Sequence, residues 1–286
     1  MKGYHESVLL TEAIKALDIK IGEWYLDLTL GDGGHSEEIE RQGGKVVGID
    51  VDPQALKRAK ERLKGAILVQ GNFRDIENLI SSQTELKDKK FAGAIFDLGV
   101  SSLQLETPER GFSFGKEGPL DMRMDLTLGV TALDLLKVLS EKELYELFKS
   151  LGEEKYSKLV ARALVRAGKI TTTTDLARIV EKVVGRQGKI HPATKIFQAL
   201  RMVVNDELGA LKEGLEEVSK KIQENGRLVV ISFHSLEDRI VKNTFKGWEQ
   251  AGLGKILTKK PIAPGVQEIA GNPRSRSAKM RVFEIL

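Results

Sequence analysis

Trp24-Tyr25-Leu26-Asp27-Leu28-Thr29-Leu30-Gly31-Asp32-Gly33-Gly34-His35-Ser36 passes from a short apolar run, through a glycine-rich turn, into a charged stretch with helical spacing. The pattern predicts a strand over 24–28, a tight turn, and a helix beginning near Ser36. Glycines at such a turn tolerate positive φ and let a ligand approach the backbone closely. The carboxyl end of a strand feeding a helix is where open α/β sheets bind their ligands.

Working outward, further apolar runs over 45–50, 66–70 and 92–97 read as strands, with a basic amphipathic helix over 53–63. Strands that alternate with helices and are apolar throughout imply a parallel sheet covered on both faces. From about Glu106 to Ala193 only helical signals and glycine punctuation appear. Leu176, Ile179, Val180, Val183 and Val184 form one stripe, with Thr174 or Asp175 as its expected cap. Leu144, Leu147 and Phe148 form a second stripe, and Leu159, Ala163 and Leu164 a third. A long helix is predicted over roughly 193–225, ended by Gly226. A fifth strand is predicted over 227–233, and an antiparallel edge strand over 279–286. The expected class is therefore α/β: a Rossmann-like sheet over 1–105 and 199–286, interrupted by a mainly helical inserted domain over 106–198.

The chain has 286 residues, 41% hydrophobic and 30% charged, which is ordinary for a globular protein and enough for a substantial core. It contains no cysteine, so disulfides and thiolate metal sites are excluded. The four histidines, His5, His35, His191 and His234, are scattered, and no metal site is expected. Residues 1–7 lack the apolar segment of a secretory signal, and no run is long enough to span a membrane, so a cytoplasmic location and no membrane partner are expected. Net charge is +4. Between Lys255 and the end, seven basic residues face only Glu268 and Glu284, a concentration that suits either phosphate binding or a solvated surface.

Asp50 ends the second strand about twenty residues beyond the glycines, where a carboxylate can accept both hydroxyl protons of a ribose. Dinucleotides and S-adenosylmethionine share this geometry. A dinucleotide favours a third glycine and seats its pyrophosphate on the helix start. Here Ser36 stands at that place, and Asp27 and Asp32 flank the turn. Carboxylates repel a pyrophosphate and attract an ammonium, so charge favours S-adenosylmethionine. His35 is either a contact to the cofactor's carboxylate or a helix-start residue. Phe73, just after the third strand, either covers adenine or packs in the core.

The runs DLTLGDGGHS (27–36), GIDVDP (48–53), FDLGVSSLQL (96–105), ERGFSF (109–114), GPLDMRMD (118–125), VISFHSLEDRIVK (230–242) and NPRSRSAKMR (272–281) resemble the RsmH (MraW) family of bacterial 16S ribosomal RNA cytosine-N4 methyltransferases. The resemblance extends nearly end to end. It implies methyl transfer from S-adenosylmethionine to N4 of a cytidine at the decoding centre of the small ribosomal subunit. It also implies that Gly33, Gly34, His35, Asp50, Phe73, Asp97 and Gln104 bind the cofactor.

Asp97, at the end of the fourth strand, can face either the cofactor's amine or the cytosine's, and is the candidate catalytic residue as well as a cofactor contact. His234, after the fifth strand, is a candidate for positioning substrate. An RNA base must be flipped out to reach such a pocket. Arg110, Phe112, Phe114 and Arg123 offer guanidinium and aromatic surfaces for it, or simply fold a linker. Arg274 and Arg276 are the candidate phosphate contacts. If five net charges engaged single-stranded RNA, affinity would fall roughly hundredfold over a fourfold rise in salt. The expected partner is 16S rRNA or the small subunit, with the enzyme monomeric or homodimeric. Two rival functions are a small-molecule methyltransferase and a non-catalytic, cofactor-binding ribosome assembly factor.

Overall fold

The computed structural model describes residues 6–186 and 191–286, so the expectations for residues 1–5, His5 included, lie outside the described residues. The chain forms two compact units, one of 1–99 and 208–286, the other of 100–207. The expected boundaries stood after 105 and after 198.

The first unit is built on a seven-stranded sheet. Its first four strands are β1 (Trp24–Asp27), β2 (Lys45–Asp50), β3 (Ile67–Gln70) and β4 (Phe91–Asp97). Helices α1 (Leu10–Leu17), α2 (Gly34–Arg41), α3 (Pro53–Arg62) and α4 (Ile76–Ser81) accompany them. Strands β5 (Ile222–Ser232), β6 (Gly254–Ile256) and β7 (Lys279–Ile285) complete the sheet, in the order β3-β2-β1-β4-β5-β7-β6. β1 to β5 run parallel, while β7 is antiparallel to both its neighbours. The chain moves outward from β1 to β3 and then returns to lay β4 on the other side of β1. That reversal is the switch point at which such sheets open a ligand crevice.

Period-two alternation explains the core. Leu26, Val47, Phe96 and Val230 enter one apolar cluster. Their neighbours Tyr25, Val46, Ile95 and Val229 enter another on the opposite face.

The second unit holds α5 (Ser102–Glu106), α6 (Ala132–Val138), α7 (Glu141–Ser150), α8 (Ser157–Arg166), α9 (Thr173–Val184) and α10 (Ala193–Val204). It has its own core, in which Leu144, Phe148, Leu176, Val180 and Leu200 are completely buried. Helix α11 (Glu207–Ser219) begins at the boundary, and α12 (Ser235–Gln250) and α13 (Val266–Gly271) follow in the first unit. No helix among the described residues is long and apolar enough to cross a membrane.

Several expectations need correction. The helix predicted over 193–225 is two helices, broken where Asp206 takes φ +46°. Asn205 causes the break: its amide donates to Met122 O and Arg201 O and accepts from Met124 N–H, tying the helix end to a loop. Gly226 does not end a helix but lies within β5, which starts at Ile222. There the register against β4 shifts, and a Cβ on Gly226 would stand 2.4 Å from Ile222 Cγ2. Helix α9 is capped by Thr172, whose side chain accepts from Asp175 N–H, rather than by Thr174 or Asp175. The buried stripe of α8 is Val160, Ala161 and Leu164, leaving Leu159 exposed.

β7 is not an edge strand, because β6 pairs outside it. Two of its polar residues are buried in ion pairs: Arg281 with Asp238 at 2.7 Å, and Glu284 with Arg227 at 3.0 Å and Lys255 at 2.7 Å. A charge pair hidden in a strand mimics the alternation of an exposed edge.

Candidate active site

The ends of β1, β2 and β4 bring three carboxylates to the switch point. Asp27 is buried, accepting from Ser36 Oγ–H at 2.6 Å and from Thr29 N–H at 3.4 Å. Asp50 accepts from Gly31 N–H at 2.8 Å and from Asp52 N–H at 2.9 Å, which fixes the glycine turn (Gly31 φ +52°, Gly33 φ +76°) against β2. Asp97 is held by its backbone, whose N–H donates to Thr29 Oγ1 at 2.6 Å.

Loss of hydration pushes Asp27 and Asp50 each up to about 6, against the pull of their hydrogen-bond donors. Asp97 is raised well above the ordinary carboxylate range, first by burial and then by the charges of Asp27 and Glu237. A cluster of this kind gains stability from a bound cation, which relieves the carboxylates' mutual repulsion. Asp32 does not belong to the cluster. Arg58 grips it at two points, both 2.7 Å, so its charge is already matched.

His35, in the first turn of α2, is buried with Nε2 3.1 Å from Val8 O and Nδ1 3.8 Å from Asp97 Oδ2. Burial lowers its pKa to about 4, so the ring is neutral near pH 7, with Nε2–H donating to Val8. This contact draws residues 6–9 over the glycine turn. The same segment is held by the C-terminal region, where Glu268 Oε1 accepts from Leu9 N–H at 2.8 Å and Asn272 Nδ2 donates to Glu6 O at 3.1 Å. A Cβ on Gly34 would stand 1.9 Å from Ser7 Oγ, so the absence of a side chain at Gly34 lets the segment approach this closely. Nothing in the local sequence of residues 6–9 or 268–272 signals the clamp.

Phe73 begins a 3-10 turn after β3, half-buried, with its ring edge-on to Phe96 at 5.4 Å. It also lies over Gly214 of α11, where a Cβ would meet the ring at 2.4 Å. One side of the ring is therefore core packing.

On the neighbouring strand end, His234 caps α12. Its Nδ1 accepts from Glu237 N–H at 3.3 Å, and Glu237 Oε2 accepts from Phe233 N–H at 2.8 Å and His234 N–H at 3.2 Å. The buried Glu237 was missed from sequence, although the Glu three residues after a candidate cap in His234-Ser235-Leu236-Glu237 is the capping-box signal.

The remaining candidates lie in the helical unit or in the tail. Gln104 is buried in the capping box of α5, accepting from Ser101 N–H at 3.1 Å. Arg110 is buried, donating to Arg123 O and Met124 O and lying over the equally buried Phe112. Arg123 binds both oxygens of Asp121 at 2.8 Å and also donates to Leu126 O and Leu128 O. These two guanidinium groups fold the loop. Phe114 stacks on His191 at 4.5 Å beside a cavity of about 260 Å³ in the helical unit. In the tail, Arg274 and Arg276 are exposed on a 3-10 turn, Pro273–Ser277.

A protein from Sulfurihydrogenibium sp. (strain YO3AOP1) named ribosomal RNA small subunit methyltransferase H is 47% identical over 97% of this chain and 98% of its own. Proteins of the same name from Persephonella marina (46%) and Clostridium botulinum (44%) are similar over 97% and 99% of this chain and 98% and 99% of theirs. The model of the MraW methylase family matches residues 2–286, and with relatives this similar along almost their whole length, the chain belongs to that family.

Proposed function

We propose that this protein transfers a methyl group from S-adenosylmethionine to the N4 amine of a cytidine in the 16S rRNA of the small ribosomal subunit, in the cytoplasm. Membership of the MraW methylase family over nearly the whole chain supports an rRNA methyltransferase. The single structural observation that carries the cofactor assignment is the trio Asp27, Asp50 and Asp97, gathered at the switch point and suited to a cationic ligand.

When bound, S-adenosylmethionine supplies an electrophilic methyl on a sulfonium with a thioether as leaving group. The residues proposed to hold it are Gly33, Gly34 and His35 along the turn, Asp50 for the ribose hydroxyls, Phe73 for adenine and Asp97 for the amine, while Gln104, in the helical unit, is a candidate by the family resemblance alone. Neutral His35 braces the turn through Val8 rather than adding a positive charge beside a cation. The cytosine amine is a poor nucleophile because its lone pair is delocalised into the ring, so in-line alignment does much of the work. As the new N–C bond forms and the C–S bond breaks, the amine releases a proton. Asp97, whose raised pKa makes it a better base than an ordinary carboxylate, is the proposed acceptor. Arg274 and Arg276 are proposed to hold RNA phosphates, while Arg110 and Arg123 serve the substrate through the loop they fold.

The deciding experiment supplies labelled S-adenosylmethionine to undermodified small subunits and analyses the nucleosides by mass spectrometry. N4-methylcytidine is the expected product, and Asp50→Ala is expected to lose cofactor binding and methylation together. Absence of N4-methylcytidine from reactions in which wild-type protein has bound cofactor would overturn the assignment.

A further inference from the structure

Two buried polar atoms at the ends of adjacent strands have no hydrogen-bond partner among the described residues: Asp97 Oδ1 on the last residue of β4 and His234 Nε2 just after β5. The strands pair up to Asp97 opposite Ile231, and Leu98 N–H donates to Ile231 O at 3.0 Å, so the two loops leave the sheet side by side. A Cβ on Gly99 would stand 3.6 Å from the Phe233 ring. Leaving a buried polar group unpaired is costly, so two on one rim call for an explanation.

Their chemical characters are opposite once Asp97 is ionised. Asp97 Oδ1, as carboxylate, accepts. His234 Nδ1 is occupied by Glu237 N–H, so the ring proton sits on Nε2, which donates. Nε2 lies 3.1 Å from Glu237 Oε1, but off the hydrogen-bonding direction. Glu237 Oε2 holds the turn through two backbone N–H groups, so the imidazole is presented by a fixed frame.

The geometry points to a two-point reader of the accepting base: Asp97 Oδ1 takes N4–H and His234 Nε2–H is given to N3. This rests on the functional reading above and names the groups that choose the base. Cytosine offers an N–H at N4 beside an acceptor at N3, matching the pair. Uracil offers an acceptor at O4 beside an N–H at N3, opposing both members. The Asp97 side chain is 24% exposed, which leaves the flipped base an approach, while the burial of the two atoms strengthens each bond it makes. His234 is then a donor that orients the base, and it does not take up the proton released from N4.

The test compares wild type with His234→Asn, since asparagine keeps the helix cap but lacks the outer N–H. Substrates are small subunits reconstituted with 16S rRNA carrying either cytidine or 3-deazacytidine, which lacks N3, at the position wild type methylates. On cytidine the variant is expected to lose about ten- to hundredfold in kcat/KM, the worth of one base-reading contact, with unchanged cofactor affinity and Tm. On 3-deazacytidine, wild type and variant are expected to agree within about threefold, because the contact is already gone. Equal loss on both substrates overturns the inference, as does a ¹⁵N spectrum placing the His234 proton on Nδ1. If wild type binds cofactor but never methylates unmodified RNA at N4, the functional reading falls first and this one with it.

Discussion

At the residue scale, the site is set by where single charges are placed and what already neutralises them. Asp32 looks from sequence like a partner of Asp27, yet Arg58 consumes it, whereas Asp27 and Asp50 keep their need for a cation. Both titrate near 6 in the folded chain and near 3.8 when unfolded. The folded apo protein therefore holds these protons more tightly. Their contribution to stability is fully present below pH 3.8 and is lost as pH rises through 6. His35 works in the opposite sense. Its pKa falls from 6.5 to about 4, so its contribution is present above 6.5 and lost as pH drops toward 4. A cationic cofactor needs the carboxylates ionised. Calorimetric titration from pH 7 to 5 should show affinity for S-adenosylmethionine falling about tenfold at pH 5 for each carboxylate that must be ionised. Affinity that rises or stays level over this range would mean that the carboxylates do not face the ligand.

At the scale of elements, the cofactor turn is not a free-standing strand–turn–helix motif. Residues 6–9 lie across it, pinned by His35 from within and by Glu268 and Asn272 of the α13 region from outside. Asn272 is buried and makes its contact across 266 residues of chain. Replacing it with alanine removes one buried hydrogen bond, worth about 1 kcal/mol. Asn272→Ala should weaken S-adenosylmethionine binding about fivefold in the same titration, although the residue belongs to no cofactor motif. Unchanged affinity would show that the clamp is independent of the turn. The broken helix at Asn205–Asp206 and the bulge at Gly226 also belong to this scale. In both, a polar loop contact or a sterically tight glycine interrupts an apolar period that reads as continuous in sequence.

For the whole molecule, the positive tail is smaller than its composition suggests. Lys255 is paired with Glu284 across β6 and β7, and Lys279 and Arg281 with Asp238 of α12, so these three already have acidic partners within the fold. Lys259, Lys260, Arg274 and Arg276 are exposed, and these four are the proposed phosphate contacts. The salt dependence of RNA binding should be correspondingly shallow, with affinity falling about fiftyfold over a fourfold rise in salt if all four engage single strands. Arg274→Ala with Arg276→Ala should reduce the logarithmic slope by about 1.4, measured by filter binding, and an unaltered slope would remove these residues from the interface. The sequence alone determined the parallel strands, the glycine turn with Asp50 beyond it, the helical insertion and the family. These depend on local periodicity, turn chemistry and motif spacing, all written along the chain. Only the tertiary structure decided which charges are spent. The matching of Asp32 by Arg58, the clamp on residues 6–9, the burial of Arg281 and Glu284, and the two unpaired atoms of Asp97 and His234 all depend on groups far apart in sequence. Charge and hydrogen bonding act through space, and their partners are known only once the chain has folded.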